Sequence, residues 1–157
     1  MGPGEENSGK LVSQVRKKAK ELAAENSANI ILTDGPPGTG CPAIASITGT
    51  DLVVLVLEPT KSSLHDAERV VDLVEQFKIP MVAIINKFDL HKEVSDQIED
   101  FLAEHSITLL DKIPFDETMV RALVNGQSIV EYNPGSEIAK SVFSVWNKII
   151  HSTRNQV

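Results

Sequence analysis

The stretch Asp51-Leu52-Val53-Val54-Leu55-Val56-Leu57-Glu58-Pro59-Thr60 decides the fold. Six consecutive apolar residues, 52–57, read as a strand, and a run without polar alternation marks one covered on both faces. Glu58-Pro59-Thr60 ends it. Downstream, Ser63 and Asp66 open a helix in a capping-box-like arrangement, with Leu64, Ala67, Val70, Val71, Val74 and Phe77 turned inward. Residues 81–85 form the next strand, and a helix with Val94, Ile98, Phe101 and Leu102 on its inner face follows. Residues 107–113 form another strand. A short helix then ends at Gly126, and a last helix covers about 136–150 with Ile138, Val142, Val145, Trp146 and Ile149 inward. Upstream, residues 29–33 read as a short buried strand and 43–48 as a short helix. A first helix over 9–25, capped by Asn7 or Ser8, places Leu11, Val15, Ala19 and Leu22 on one face. Apolar runs alternating with amphipathic stretches predict an α/β fold, a parallel sheet of about four strands with helices on both faces. The 157 residues fit a single domain.

Composition narrows the function. Hydrophobic residues make up 41% of the chain, an ordinary globular share. The net charge of -7, from 22 acids and 15 bases, argues against nucleic-acid binding as the main function. One cysteine, Cys41, excludes an internal disulfide, and excludes a zinc site or iron–sulfur cluster built from this chain's thiolates alone. Free cysteines are often buried, so Cys41 is expected as a small packed residue. His65 and His105 have no ligand partner at metal spacing. No stretch approaches the roughly 20 apolar residues of a membrane span, and no signal-peptide core opens the chain, so the expected compartment is the cytoplasm. The last helix carries Phe143, Trp146, Ile149 and Ile150 but only Lys140, Lys148 and Arg154 as cations, which favours packing on the sheet over a lipid anchor.

In open α/β sheets, ligands bind beyond the carboxyl ends of the strands. Three unusual segments fall at such ends. Asp34-Gly35-Pro36-Pro37-Gly38-Thr39-Gly40 offers an acid that can hold the water shell of Mg²⁺, followed by glycines that let backbone N–H groups approach a phosphate. The bland alternative is a Gly/Pro turn between strand and helix. Asn86-Lys87-Phe88-Asp89 offers an amide able to donate to and accept from a purine edge, and an acid able to accept from a base N–H. Its alternative is a solvated loop opening a helix. In Ile113-Pro114-Phe115-Asp116, Asp116 is first a helix N-cap, and Pro114 with Phe115 can wall a base pocket. A fourth segment, Gly4-Glu5-Glu6-Asn7-Ser8-Gly9-Lys10-Leu11, imitates a phosphate-binding loop. There Leu11 replaces the required Ser or Thr, and Glu5 and Glu6 would repel phosphate.

Together these residues resemble the MinD/ParA/Mrp group of P-loop ATPases, the class that includes the nitrogenase iron protein. Asp34 to Gly40 is similar to the D-x-P-P-G-T-G switch-II loop of Mrp-like members. Residues 51–60 are similar to the strand and loop that follow it, and Asn86-Lys87-Phe88-Asp89 and Ile113-Pro114-Phe115-Asp116 fall where the family meets the purine. Glu5 to Val12 with Gly40-Cys41-Pro42 is most similar to MinD-like ATPases carrying an inserted ferredoxin domain. The resemblance covers about residues 4–150 and implies the C-terminal part of a nucleotide-binding domain for ATP and Mg²⁺. Asp34 would hold the Mg²⁺ water shell, and the backbone of Gly35, Pro36, Pro37 and Gly38 would sense the γ-phosphate. Asn86, Lys87 and Asp89 would meet the base, with Pro114 and Asp116 beside it. The family's N-terminal strand, its K-G-G-T-G-K-[ST] loop and the ferredoxin cysteines are absent. The resemblance therefore implies a homodimer, or a partner bringing the P-loop half or the ferredoxin domain. Residues 29–34 are expected either to pair directly with 51–57 or to accept a partner's strand, and the chain alone is expected not to hydrolyse ATP.

Two other readings compete. N-K-x-D is also the guanine-specificity string of GTPases, although the spacing D-x-x-x-G here differs from their D-x-x-G. A nucleotide-free interaction module docking on a redox partner or a second ATPase half is the non-enzymatic alternative. A phospho-receiver domain needs paired acids after its first strand, which residues 29–34 do not provide.

Overall fold

The computed structural model describes residues 3–154, and the side chains of 8–153. The chain divides into two compact units, one built from residues up to 51 with 68–79, the other from 52–67 with 80 onward.

The first unit holds α1 (Pro3–Glu25), an extended segment, α2 (Cys41–Ile47) and the later turns of α3 (Lys61–Gln76). α1 and α2 cross closely at Gly9, where an added Cβ would stand 3.2 Å from the Cys41 Cβ. Arg16 seals the crossing. Its guanidinium donates to the carbonyls of Ala45 (2.8 Å), Thr48 and Gly49 (3.3 Å) at the C-terminal end of α2, where helix carbonyls lack partners and favour a cation.

Several expectations for this unit need correction. α1 extends back to Pro3, so Asn7 and Ser8 lie inside the helix and do not cap it. Its Leu11 and Val15 are each 60% exposed, because α1 packs on α2 through a different face. Residues 29–33 form no strand. A strand needs a neighbour for its backbone N–H and C=O groups, and no ladder partner meets this segment among the described residues. Ile30, Ile31 and Leu32 are exposed accordingly. Direct pairing of 29–34 with 51–57 is thereby overturned. Cys41 is also exposed, not packed.

The second unit carries the sheet. β1 (Val53–Leu57), β2 (Met81–Asn86) and β3 (Thr108–Ile113) are all parallel in the order β1-β2-β3. The sheet thus has three strands where about four were expected, since 29–33 does not join it. Parallel neighbours need long crossovers, and α3 and α4 (Lys92–Glu104) supply them. The helix-opening cap of α3 is Thr60, whose Oγ1 accepts from the Ser63 amide (3.1 Å), while Ser63 Oγ instead accepts from the Glu58 amide (3.1 Å). β2 is central, with Val82 to Ile85 buried. Val94, Ile98, Phe101 and Leu102 of α4 are buried as the 3.6-residue period demands. β1 departs from its reading: Val56 is 62% exposed, so one face of this edge strand is not fully covered. Beyond β3, α5 (Glu117–Val124), α6 (Ile129–Tyr132) and α7 (Glu137–Arg154) share a small core of Ala122, Ile129, Ile138 and Ala139. Ser128 and Glu131 cap α6 reciprocally, and these hydrogen bonds hold the Glu131 carboxyl below its usual range.

β3 contains one irregularity. Ala83 is level with Leu109 but Ile84 is level with Asp111, so Leu110 is an extra residue. The Lys148 ammonium of α7 donates to the Leu110 carbonyl (3.0 Å) and to Asp111 Oδ2 (2.6 Å). Burial pushes the Asp111 carboxyl up, but the bonds from Lys148 and the Lys112 amide outweigh it and leave the group below its ordinary value. A carboxyl lowered on folding stabilises the fold above its unfolded pKa, and loses that contribution as pH falls through the folded value. A double-mutant cycle of Asp111→Asn and Lys148→Met should give a coupling of up to about 1 kcal/mol near neutral pH, since both side chains are partly exposed. Urea titrations should find that coupling gone by about pH 2. In the centre of the sheet, Ile85→Ala should cost roughly 2–5 kcal/mol in the same assay.

Candidate functional site

The carboxyl ends of β1, β2 and β3 lead into three short loops, and side chains tie these loops together. β2 ends at Asn86. Lys87 then adopts a left-handed backbone, φ 56°, and Phe88–Leu90 form a single 3-10 turn. A residue with a Cβ in that region is strained by roughly 1–2 kcal/mol, so its surroundings must hold it. Three contacts do so. The Lys87 ammonium reaches Glu58 at the end of β1 (2.7 Å). Ser95 of α4, 2% exposed, donates its hydroxyl to the Phe88 carbonyl (2.6 Å). Asp89 Oδ1 accepts the backbone N–H of Phe115 beyond β3 (2.7 Å). The Lys112 ammonium stands 5.4 Å from the centre of the Phe88 ring, a cation–π distance.

Asn86 itself is half-buried, and its carboxamide makes no hydrogen bond among the described residues. An amide with a free donor and a free acceptor has the hydrogen-bonding groups to read a base edge. Asp116 sits where the sequence places it, at the N-cap of α5, and its carboxylate accepts from the Thr118 amide (2.7 Å). That bonding with Thr118 holds its carboxyl below the usual range. Pro114 lies between Ile113 and Phe115, the residue tied to Asp89, so the second and third loops move as one piece.

Asp34 to Gly38 belongs to the first unit. All five residues, Asp34, Gly35, Pro36, Pro37 and Gly38, are exposed. Gly38 has φ +86°, with open space where a Cβ would stand, so this backbone is accessible to a ligand. The adjoining Thr39 Oγ1 accepts from Arg69 of α3 (3.1 Å), which anchors the end of the loop. No group of three or more His, Cys, Asp and Glu side chains suited to a metal occurs among the described residues. Asp34 as a lone exposed carboxylate suits a hydrated Mg²⁺, which keeps most of its waters, and does not suit a cage of protein ligands. Gly9 and Lys10 lie well inside α1, so this Gly-Lys pair forms no phosphate-binding loop.

Sequence reasoning overlooked Glu58 and Ser95. Glu58 read only as part of a strand terminator, yet an acid at one strand end and a lysine at the next is a recognisable pair once parallel neighbours are assigned. Ser95 gave no signal, because its role depends on burial.

A parallel sheet with helical crossovers and three loops at its carboxyl ends is an open α/β architecture in which ligands bind at that edge, and comparison with known proteins places the family. Residues 9–150 match the ParA family described as NUBPL iron-transfer P-loop NTPase, and the chain belongs to that family. It is 27% identical over 146 residues to an uncharacterized protein of Methanocaldococcus jannaschii, covering 93% of this chain and 47% of that protein. It is 26% identical over 129 residues to the iron-sulfur cluster carrier protein of Aquifex aeolicus, covering 74% of this chain and 35% of that protein. The fold is that of the MinD cell division protein of Aquifex aeolicus, with a TM-score of 0.73 at 20% identity over 89% of this chain and 61% of that one. The chain thus spans less than half the length of these curated relatives. Among the described residues no helix is long and apolar enough to cross a membrane.

Replacing Asp89 by Ala should release the Phe115 amide. Hydrogen exchange at Phe115 should then accelerate by about tenfold or more, the loss of one charged hydrogen bond, while β2 amides keep their protection.

Proposed function

We propose that this chain supplies the γ-phosphate-sensing and base-reading loops of a ParA-type ATP site, as the C-terminal portion of a MinD-like nucleotide-binding domain. The observation that carries this reading is the unused Asn86 carboxamide, set in a loop held from three sides. Asn86 meets the purine edge. Asp89 has one oxygen engaged by Phe115 and offers the other, while Lys87, Pro114 and Asp116 border the base. Asp34 holds the water shell of Mg²⁺, and the backbone from Gly35 through Pro36 and Pro37 to Gly38 approaches the γ-phosphate. Magnesium, when bound, neutralises phosphate charge.

Phosphoryl transfer relies on positioning and on cations around the phosphates. The family's P-loop lysines do not occur in this sequence, and the N-terminal half of such a domain, as a further polypeptide segment, would bring them. The exposed, unpaired segment 29–34 is the edge on which such a strand would add. The iron–sulfur role named for the Aquifex relative is a candidate client reaction. Four-thiolate ligation would need three cysteines beyond Cys41.

Amide NMR of the 157-residue chain with Mg·ATP and Mg·GTP tests the site. We expect shifts at Gly35, Asn86 and Asp116 with ATP, weaker binding of GTP, and at least about tenfold weaker ATP binding in Asn86→Ala, the value of a lost buried hydrogen bond pair. Preference for GTP would favour the GTPase-like reading. No shift with either nucleotide would favour an interaction module that docks without nucleotide. The isolated chain should release no phosphate from ATP, and turnover that Asp34→Ala abolishes would contradict this.

A further inference from the structure

The chain carries net charge -7, yet five of its fifteen basic residues fall between positions 10 and 20 of α1. Two of these five are already engaged. Arg16 holds the end of α2, and Lys18 pairs with Glu21 (3.2 Å). The other three, Lys10, Lys17 and Lys20, are exposed and meet no carboxylate among the described residues. They lie seven and three residues apart, so they share one side of the helix. That side borders a groove of about 720 Å³ between α1 and α2. Its floor is Ile44 and Ala45 of α2, and Cys41 stands where the helices meet at Gly9. No acidic residue lines it.

We propose that this groove docks an acidic segment of a partner polypeptide. Three features favour that occupant. From Lys10 to Lys20 the helix advances about 15 Å, so the three ammonium groups cannot converge on one phosphate ion but can follow an extended chain. The floor is aliphatic and holds no aromatic ring on which nucleobases would stack, which disfavours single-stranded nucleic acid. The net charge of -7 also opposes the approach of a long polyanion, whereas a short acidic segment engages the local positive potential within a Debye length or so. Aliphatic side chains of the partner would lie over Ile44 and Ala45, while its carboxylates meet the lysines. The proposal is independent of nucleotide binding.

The test is an amide NMR titration of the full chain with a peptide of about twelve residues mixing glutamate with leucine, in parallel with oligothymidylate of equal charge and with inorganic phosphate. We expect saturable shifts confined to 9–20 and 41–48 with the peptide. Its affinity should fall at least tenfold in Lys17→Glu/Lys20→Glu, and also as salt rises from about 50 to 300 mM. The variant's circular dichroism and melting should match the parent, because both lysines are exposed. Lys10→Gln/Lys20→Gln gives the same readout with less charge change should the first variant be misfolded. Lys61→Glu/Lys92→Glu, outside the groove, should leave the affinity within a factor of two or so. Unconfined shifts, equal affinity for the groove variants, no peptide binding, or equal or tighter binding of oligothymidylate or phosphate at the groove would each overturn the proposal.

Discussion

Two polar contacts set the geometry on which the loops at the carboxyl ends of the sheet depend: the Lys87 ammonium on Glu58, and the Phe115 amide on the Asp89 carboxylate. They join the ends of β1, β2 and β3, which backbone hydrogen bonding alone leaves separate beyond the last rung of the ladder. Each contact is partly exposed; the ion pair alone is worth about 1 kcal/mol or less of stability, and the charged hydrogen bond about 1.5 kcal/mol. Their value is geometric. Together with buried Ser95, they keep Lys87 in a left-handed backbone, next to an Asn86 carboxamide that makes no hydrogen bond among the described residues. A backbone already held in one conformation loses little entropy when a ligand arrives.

The first unit shows the opposite economy. Its helices α1 and α2 are held by Arg16 and by the close crossing at Gly9, but the segment between them pairs with no strand among the described residues. Backbone groups of residues 29–33 face solvent, and Ile30, Ile31 and Leu32 are exposed with them. Apolar side chains of this kind, left in water, represent free energy available to whatever covers them. The chain spans less than half the length of the curated relatives it matches.

Much of the second unit was legible in the sequence for a plain reason. The runs at 52–57, 81–85 and 107–113 and the α4 pattern of Val94, Ile98, Phe101 and Leu102 report local periodicity, and the strand at 81–85 and the inner face of α4 are buried as read, while Val56 of the edge strand is not. The N-cap role of Asp116 is equally local, two residues from its partner. What failed was pairing. An apolar stretch such as 29–33 has strand character, but strand formation is a property of two segments, and composition speaks for one. The same limit applies to Leu11 and Val15, whose helical spacing is right while their partner is not present among the described residues. Contacts between distant loops, Glu58 with Lys87 and Asp89 with Phe115, became visible only once the strands were aligned. The roles proposed for Asp34 to Gly38 and Asn86 rest on the motif and its resemblance, because a ligand contact is a property of neither local period nor strand alignment.

The extra residue in β3 has a consequence for reach. In a regular ladder continuing from Leu109, Lys112 would be level with Asn86; with Leu110 absorbed as a bulge, Ile113 takes that level. One strand residue spans about 3.3 Å, so without the bulge Phe115 would be carried that much farther past the end of β2, beyond hydrogen-bonding range of Asp89. The strand therefore works as a ruler with one graduation folded away, and Lys148, gripping the Leu110 carbonyl, keeps the fold in it. A contact on the α7 side of β3 thus sets the distance at which the loops beyond β2 and β3 meet.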